Sequence, residues 1–169
     1  QATPVTSQKL FFSATIPEAV KILMGQYLNN AETILIQSEN PVANRINQGH
    51  CKTYNFDKTA VLEKFLVVHN PNAAIIFCNT KEQVIMLTQS LQEKDIQVDC
   101  IHGDMEQRDR TEVMRDFKRG KFRYLVATDI AARGIDIDDI ALVVNYDVPE
   151  NVESYTHRIG RSARHTKTG

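Results

Sequence analysis

The sequence has 169 residues, enough for one domain of ordinary size with a real core. Hydrophobic residues make up 42% and charged residues 24%, a soluble globular balance, and no apolar run is long enough to span a bilayer. The formal net charge of −1 excludes nucleic-acid binding by bulk basicity, so a polyanion would need a local patch.

In chain order, residues 9–14 read as a strand, 17–28 as a helix with Pro17 in its first turn, and 33–36 as a second strand. Residues 39–48 are polar, with Pro41 and three Asn, and read as a linker. Two strands and one helix are too little to bury a core alone, so residues 1–38 are expected to be the tail of a preceding domain. Gln1 is not an expected natural start, and the sequence reads as a piece of a longer protein.

From residue 73 two periods alternate. Ala73 to Cys78 is a continuous apolar run, suited to a strand buried on both faces. Thr80 and Gln83 form a T-x-x-Q capping box opening a helix with Val84, Leu87 and Leu91 inward. A strand follows over 97–101, then a helix over 106–119 with Val113, Met114 and Phe117 inward and Gly120 ending it. Residues 124–127 and 140–146 read as further strands. Residues 151–159 read as a helix stopped at Gly160. Strand alternating with helix implies an α/β domain in three layers, a mainly parallel sheet flanked by helices, with right-handed connections. Cys51, Cys78 and Cys100 are far apart and have no zinc spacing, so they read as reduced thiols.

In an open parallel sheet, ligands bind beyond the carboxyl ends of the strands. Three polar sets fall there: Asn79-Thr80, His102-Gly103-Asp104 and Thr128-Asp129. Each precedes a predicted helix whose free N–H groups favour an anion, although Asn, Thr and Asp also serve as plain helix caps. Residues 108–123 carry a local charge of +4 and 151–169 of +3. Such runs usually mark a solvated face, but here they are expected to sit near that edge, where they fit phosphate binding equally well. The densest cluster is His157-Arg158-Ile159-Gly160-Arg161-Ser162-Ala163-Arg164. A continuous helix would put His157, Arg161 and Arg164 on one face, whereas a stop at Gly160 would put both later arginines on a loop. Crowded guanidiniums repel unless something negative compensates them, either phosphate oxygens or carboxylates of the sheet edge. Asp136, after Arg133-Gly134-Ile135, suits a ribose hydroxyl or the cap of a turn.

Together these residues resemble the DEAD-box RNA helicase family. Ser13-Ala14-Thr15 matches its SAT motif, which belongs to the first of two RecA-like domains. Ile76 to Thr80 looks like motif IV. Ile101-His102-Gly103-Asp104-Met105, with Gln107 and Arg110, looks like the HGDM and QxxR elements. Val126 to Asp136 matches motif V, and His157 to Arg164 matches HRxGRxxR, motif VI, at every fixed position. The resemblance divides the chain into a remnant of the first RecA-like domain (1–38), the linker (39–48) and a second RecA-like helicase C-terminal domain (49–169), ending soon after motif VI.

It also implies roles. Arg161 and Arg164 would act as arginine fingers on ATP, with His157 beside them, and Asp136 would hold the ribose. His157, Arg133, Ser13 and Thr15 would link the two domains. Asn79, Thr80, Gly103, Gln107, Arg110 and Thr128 would contact or position RNA, mainly through its backbone. The implied cofactor is ATP with Mg2+ in the full-length enzyme, with none tightly bound to this chain. The implied partners are RNA and the missing first RecA-like domain, with no membrane. A monomer in the cytoplasm is expected. No GxxxxGK[ST] and no Asp-Glu-Ala-Asp occurs, so the chain alone is expected to be inactive as an ATPase. Ser162-Ala163 stands where the family more often has Thr-Gly. Alternatives are a non-catalytic RNA- or protein-binding module of the same fold, or a DNA-directed relative.

Overall fold

The computed structural model describes residues 7–12, 16, 18–28, 30–34, 46–53, 57–132 and 140–162. Two compact units divide the chain, residues 1–39 and 40–169.

The first unit contains helix α1 (Glu18–Tyr27), where Lys21 reaches Glu18 at 3.0 Å. The predicted strands 9–14 and 33–36 are not found where they are described: residues 9–12 and 33–34 pair with no strand. Their remaining residues, 13–14 and 35–36, lie outside the described residues. A short apolar run makes a strand only when a neighbour accepts its ladder, and here Leu10, Phe11 and Phe12 stay exposed.

In the second unit four short strands form one sheet: β1 (Ala74–Phe77), β2 (Val98–Ile101), β3 (Tyr124–Ala127) and β4 (Leu142–Asn145). Their order is β2-β3-β1-β4 and all three pairings are parallel. The helices are α2 (Lys58–His69), α3 (Lys81–Gln92), α4 (Gln107–Lys118), the single turn α5 (Asp129–Ala132) and α6 (Val152–Ile159).

The central strands show why an unbroken apolar run was needed. Successive side chains of β1 point to opposite faces. Ala74, Ile76 and Cys78 pack with Leu62 and Leu66 of α2 and Val84, Leu87 and Leu91 of α3. Ile75 and Phe77 pack on the other face with Phe117 of α4 and Ala131 and Ala132 of α5. The flanking strands β2 and β4 are less covered.

Helix ends follow local chemistry. Thr80 Oγ1 accepts from the Gln83 N–H at 3.2 Å, opening α3, and Asn151 Oδ1 accepts from the Ser154 N–H at 2.8 Å, opening α6. Gly120, at φ +70°, closes α4 in a Schellman motif: its N–H reaches Phe117 O at 2.9 Å and that of Lys121 reaches Asp116 O at 3.0 Å. Helix α2 has no counterpart among the predicted elements. It is apolar on nearly every side, so no stripe marks its period, although only Leu62 and Leu66 are buried.

Candidate functional site: the carboxyl edge of the sheet

Strand register builds the site. Phe77, the last residue of β1, lies beside Ala127 and Asn145, and Ala127 lies beside Ile101. All four strands therefore end level with one another. The three polar sets predicted at strand ends, and a fourth at Tyr146-Asp147, emerge along one edge.

The buried centre of that edge is a residue that sequence reasoning had passed over. Arg158 of α6 is 1% exposed. Its Nε and Nη2 donate to the two carboxylate oxygens of Asp129, at 2.7 and 2.8 Å. Nη1 donates to Asn145 Oδ1 at 3.2 Å and to the Asp147 carbonyl at 2.8 Å, and Nη2 also donates to Asn79 Oδ1 at 2.9 Å. A guanidinium has five N–H groups, and these five bonds match that capacity. The Phe77 ring lies 5.1 Å from the guanidinium carbon. Removing one member of a buried ion pair strands the other, at a cost of about 3–5 kcal/mol. Asp129 keeps 31% side-chain exposure, which places this pair at the lower end. Compensation of an arginine by a sheet-edge carboxylate is thus realised, but by Arg158. The available signal was its position beside the buried Ile159, which turns that side of α6 inward.

Asn79 is spoken for at both ends of its amide, since Nδ2 also donates to the Val148 carbonyl at 3.0 Å. Its backbone N–H donates to Asp147 Oδ2 at 3.0 Å, while Asp147 Oδ1 pairs with Lys58 at 2.6 Å. Thr80 and Thr128 act locally as caps. Thr128 Oγ1 accepts from the Ala131 N–H at 3.4 Å. Arg110 Nη2 donates to the Ala131 carbonyl at 2.8 Å, tying α4 to α5. Gly103 and Gln107 are exposed, and a Cβ on Gly103 would meet nothing within 4 Å. Glu106, the N-cap of α4, makes no side-chain cap bond to the first turn. Lys81 bonds to Asp104 at 2.5 Å, which raises the lysine and holds the carboxyl below its ordinary range.

Helix α6 ends at Gly160, which has ordinary right-handed dihedrals, so Arg161 sits in the following turn with its N–H on Arg158 O at 3.1 Å. Arg161 and the exposed His157 line a shallow pocket with Phe77, Asp129, Ala132, Ser154 and Arg158. Ser13, Thr15, Arg133, Asp136 and Arg164 lie outside the described residues.

One expectation is overturned. The sequence pattern places the whole basic run 108–123 near this edge. Only its start does. A helix that crosses back over a parallel sheet runs against the strands, so α4 carries Arg115, Lys118 and Arg119 to the opposite, amino edge. There the Arg123 N–H bonds to Gln97 O at 3.1 Å, beside the start of β2, and its side chain bonds to Asn70 past the end of α2 at 2.8 Å.

The helicase conserved C-terminal domain model matches residues 57–166. The chain is 45% identical over 161 residues to the ATP-dependent RNA helicase DbpA of Bacillus subtilis, covering 95% of this chain and 34% of that one. It is 38% identical over 173 residues to eukaryotic initiation factor 4A of Caenorhabditis elegans, covering 100% of this chain and 42% of the relative. Among solved structures it resembles S. cerevisiae Dbp5 bound to RNA and ADP BeF3, with TM-score 0.83, 33% identity, and coverage of 98% of this chain and 44% of that one. A DEAD box protein from Methanococcus jannaschii gives TM-score 0.70, 35% identity, and coverage of 94% and 42%. The chain spans about a third of the length of the curated relatives it first matches. The parallel sheet between two helix layers, its motif-bearing edge and these likenesses agree: the chain belongs to the helicase conserved C-terminal domain family, as a RecA-like domain of the DEAD-box type.

Proposed function

We propose that this chain supplies the second half of an ATP-dependent RNA helicase. It would hold the RNA backbone along its carboxyl edge and offer arginines to ATP bound mainly on a first RecA-like domain. The observation that carries the reading is the level ending of four parallel strands, which gathers Thr80, Gly103, Gln107, Thr128, His157 and Arg161 on one rim. The DbpA relative is named as an ATP-dependent RNA helicase, and the Dbp5 neighbour holds RNA and a nucleotide.

On this reading Arg161 and Arg164 stabilise charge that develops on the transferred phosphoryl group. Asp136 holds the ribose, and His157 and Arg133, with Ser13 and Thr15, face the first domain. RNA lies over Gly103, Gln107 and the first turn of α4, whose N–H groups suit a phosphodiester. Asn79, Thr80, Arg110 and Thr128 act on RNA by shaping the loops that meet it, because their side chains are engaged within the domain. Among the described residues no three His, Cys, Asp or Glu side chains converge to hold a metal. No step here runs through Mg2+ on this chain. Without a phosphate-cradling loop in its sequence, the chain alone turns over no ATP.

The test is Arg161→Ala in the full-length protein. RNA-stimulated turnover should fall by about 10^3-fold or more, with RNA affinity within about threefold of wild type. Equal loss of RNA binding and turnover would contradict the finger role, and undiminished turnover would remove it.

A further inference from the structure

Five hydrogen bonds from one guanidinium join three segments to which the proposed function gives different tasks. Asn79, itself assigned to the RNA-meeting loops, follows β1, and Asp129 follows β3 beside Thr128, which is assigned to RNA as well. Asn145 and Asp147 belong to the end of β4. Arg158 itself sits on α6, next to His157 and one turn before Arg161, the residues assigned to ATP. Its contacts stay within this domain, it is 1% exposed, and it lines the floor of the pocket between α5 and α6.

We infer that Arg158 is a positioning residue that couples the RNA-contacting loops to the ATP-facing arginine through its bonds to Asp129 and Asn79. The proposal rests on the function proposed above. Its physical basis is the rigidity of the fork. The five N–H groups of a guanidinium share one plane, so α6 cannot shift against Asp129 or Asn79 without straining several bonds together. A displacement of the Asn79 or Asp129 segments when RNA binds is therefore delivered to the turn that carries Arg161. The cation over Phe77 adds a contact to the sheet itself, which anchors the fork at the end of the central strand. Lysine would keep the charge, but it offers three donors from one point instead of a planar five.

The experiment uses the full-length protein and two variants, Arg158→Lys and Asp129→Asn. RNA affinity is measured with and without a non-hydrolysable ATP analogue, and the ratio is the coupling factor, ordinarily about 5–150-fold in coupled sites. Both variants should bring that ratio close to 1, while RNA alone and analogue alone bind within about threefold of wild type. The RNA stimulation of ATP turnover should fall in step, with the unstimulated rate retained. Far-UV circular dichroism and a thermal melt establish that each variant is folded. Should Arg158→Lys not fold, Asp129→Asn, which keeps shape and one acceptor, decides alone. An unchanged coupling factor in a folded variant overturns the proposal, as does a parallel fall in the two separate affinities. The readout is binding, so it stands apart from the Arg161→Ala test: loss of the finger role leaves it intact. A wild-type protein that binds no RNA or ATP overturns the proposed function and this inference with it.

Discussion

Gly103 separates two explanations of a glycine. A glycine can be required by its own backbone or by something that must come close to it. Among the described residues only Gly120 is a glycine with positive φ, and a Cβ on Gly103 would meet nothing within 4 Å. The domain itself therefore asks for no glycine there. On the proposed function, an RNA backbone crossing the exposed end of β2 would supply a reason that packing does not. Gly103→Ala should leave the melting temperature of the chain nearly unchanged, since surface changes of this kind stay within about 0.5 kcal/mol. In the full-length protein it should weaken RNA binding by about tenfold, by holding the backbone away from the phosphate it approaches. Titration of a fluorescent single-stranded RNA reads the second effect, and unaltered affinity would take Gly103 out of the interface. Arg158 teaches the complementary lesson. Its identity was legible within HRxGRxxR, but its burial was not, because three further arginines and histidines stand beside it in an equally polar string. Only the packing of Ile159 and the arrival of Asp129, 29 positions earlier in the chain, select it.

Elements were legible where their ends carry chemistry and their faces carry a period. Helix α3 shows both: Thr80 caps it and Val84, Leu87 and Leu91 are buried as spaced. Helix α2 shows neither clearly. Its cap, Asp57, accepts from the Thr59 N–H at 2.9 Å, but the apolar residues that follow point several ways. Helix α4 was placed correctly, yet its charge was misassigned, because composition along a helix says nothing about which end of the sheet each turn reaches. Arg115 and Lys118 lie in the last turn, where cations suit the carbonyl end of the helix, and Arg115 also pairs with Glu112 at 3.0 Å. A structural role for this basic end follows. Reversing two of its charges, Lys118→Glu with Arg119→Glu, should lower stability by about 0.5–2 kcal/mol in total. RNA affinity of the full-length protein, and its slope against salt, should stay as in wild type, because counterions are released only by charges that reach phosphate. A tenfold loss of affinity with a shallower salt slope would return the amino edge to the RNA interface.

At the scale of the molecule, the sheet makes the core and the site one object. The same apolar run that buries β1 between two helix layers brings Asn79 and Thr80 out level with Gly103 and Thr128. Fold class and the motif-bearing edge could be read from alternating periods. Strand order could not, since nothing in the spacing says that β1 pairs with both β3 and β4. Among the described residues no helix is long and apolar enough to cross a membrane. Three cysteines sample this architecture at different depths. Cys51 is exposed, Cys100 is half-buried, and Cys78 closes the central strand with its N–H on Ala127 O at 3.0 Å. Burial, and then the carboxylate of Asp147, push the Cys78 thiol from its ordinary 9.0 up to about 12. With a maleimide near pH 8, Cys51 should label at once and Cys100 more slowly, because burial raises it too. Cys78 should label only when the sheet opens, so its rate under increasing denaturant should follow global unfolding. The sign of the pH effect is fixed by the same burial. Above pH 9.0 the unfolded chain gives up the Cys78 proton while the folded chain keeps it up to about 12, so stability should fall as pH rises through that window. Replacing Cys78 by Ala should flatten that part of the pH dependence, at the cost of a small cavity. Labelling of Cys78 as fast as Cys51 in native buffer would show that the central strand is not sealed between its two helix layers.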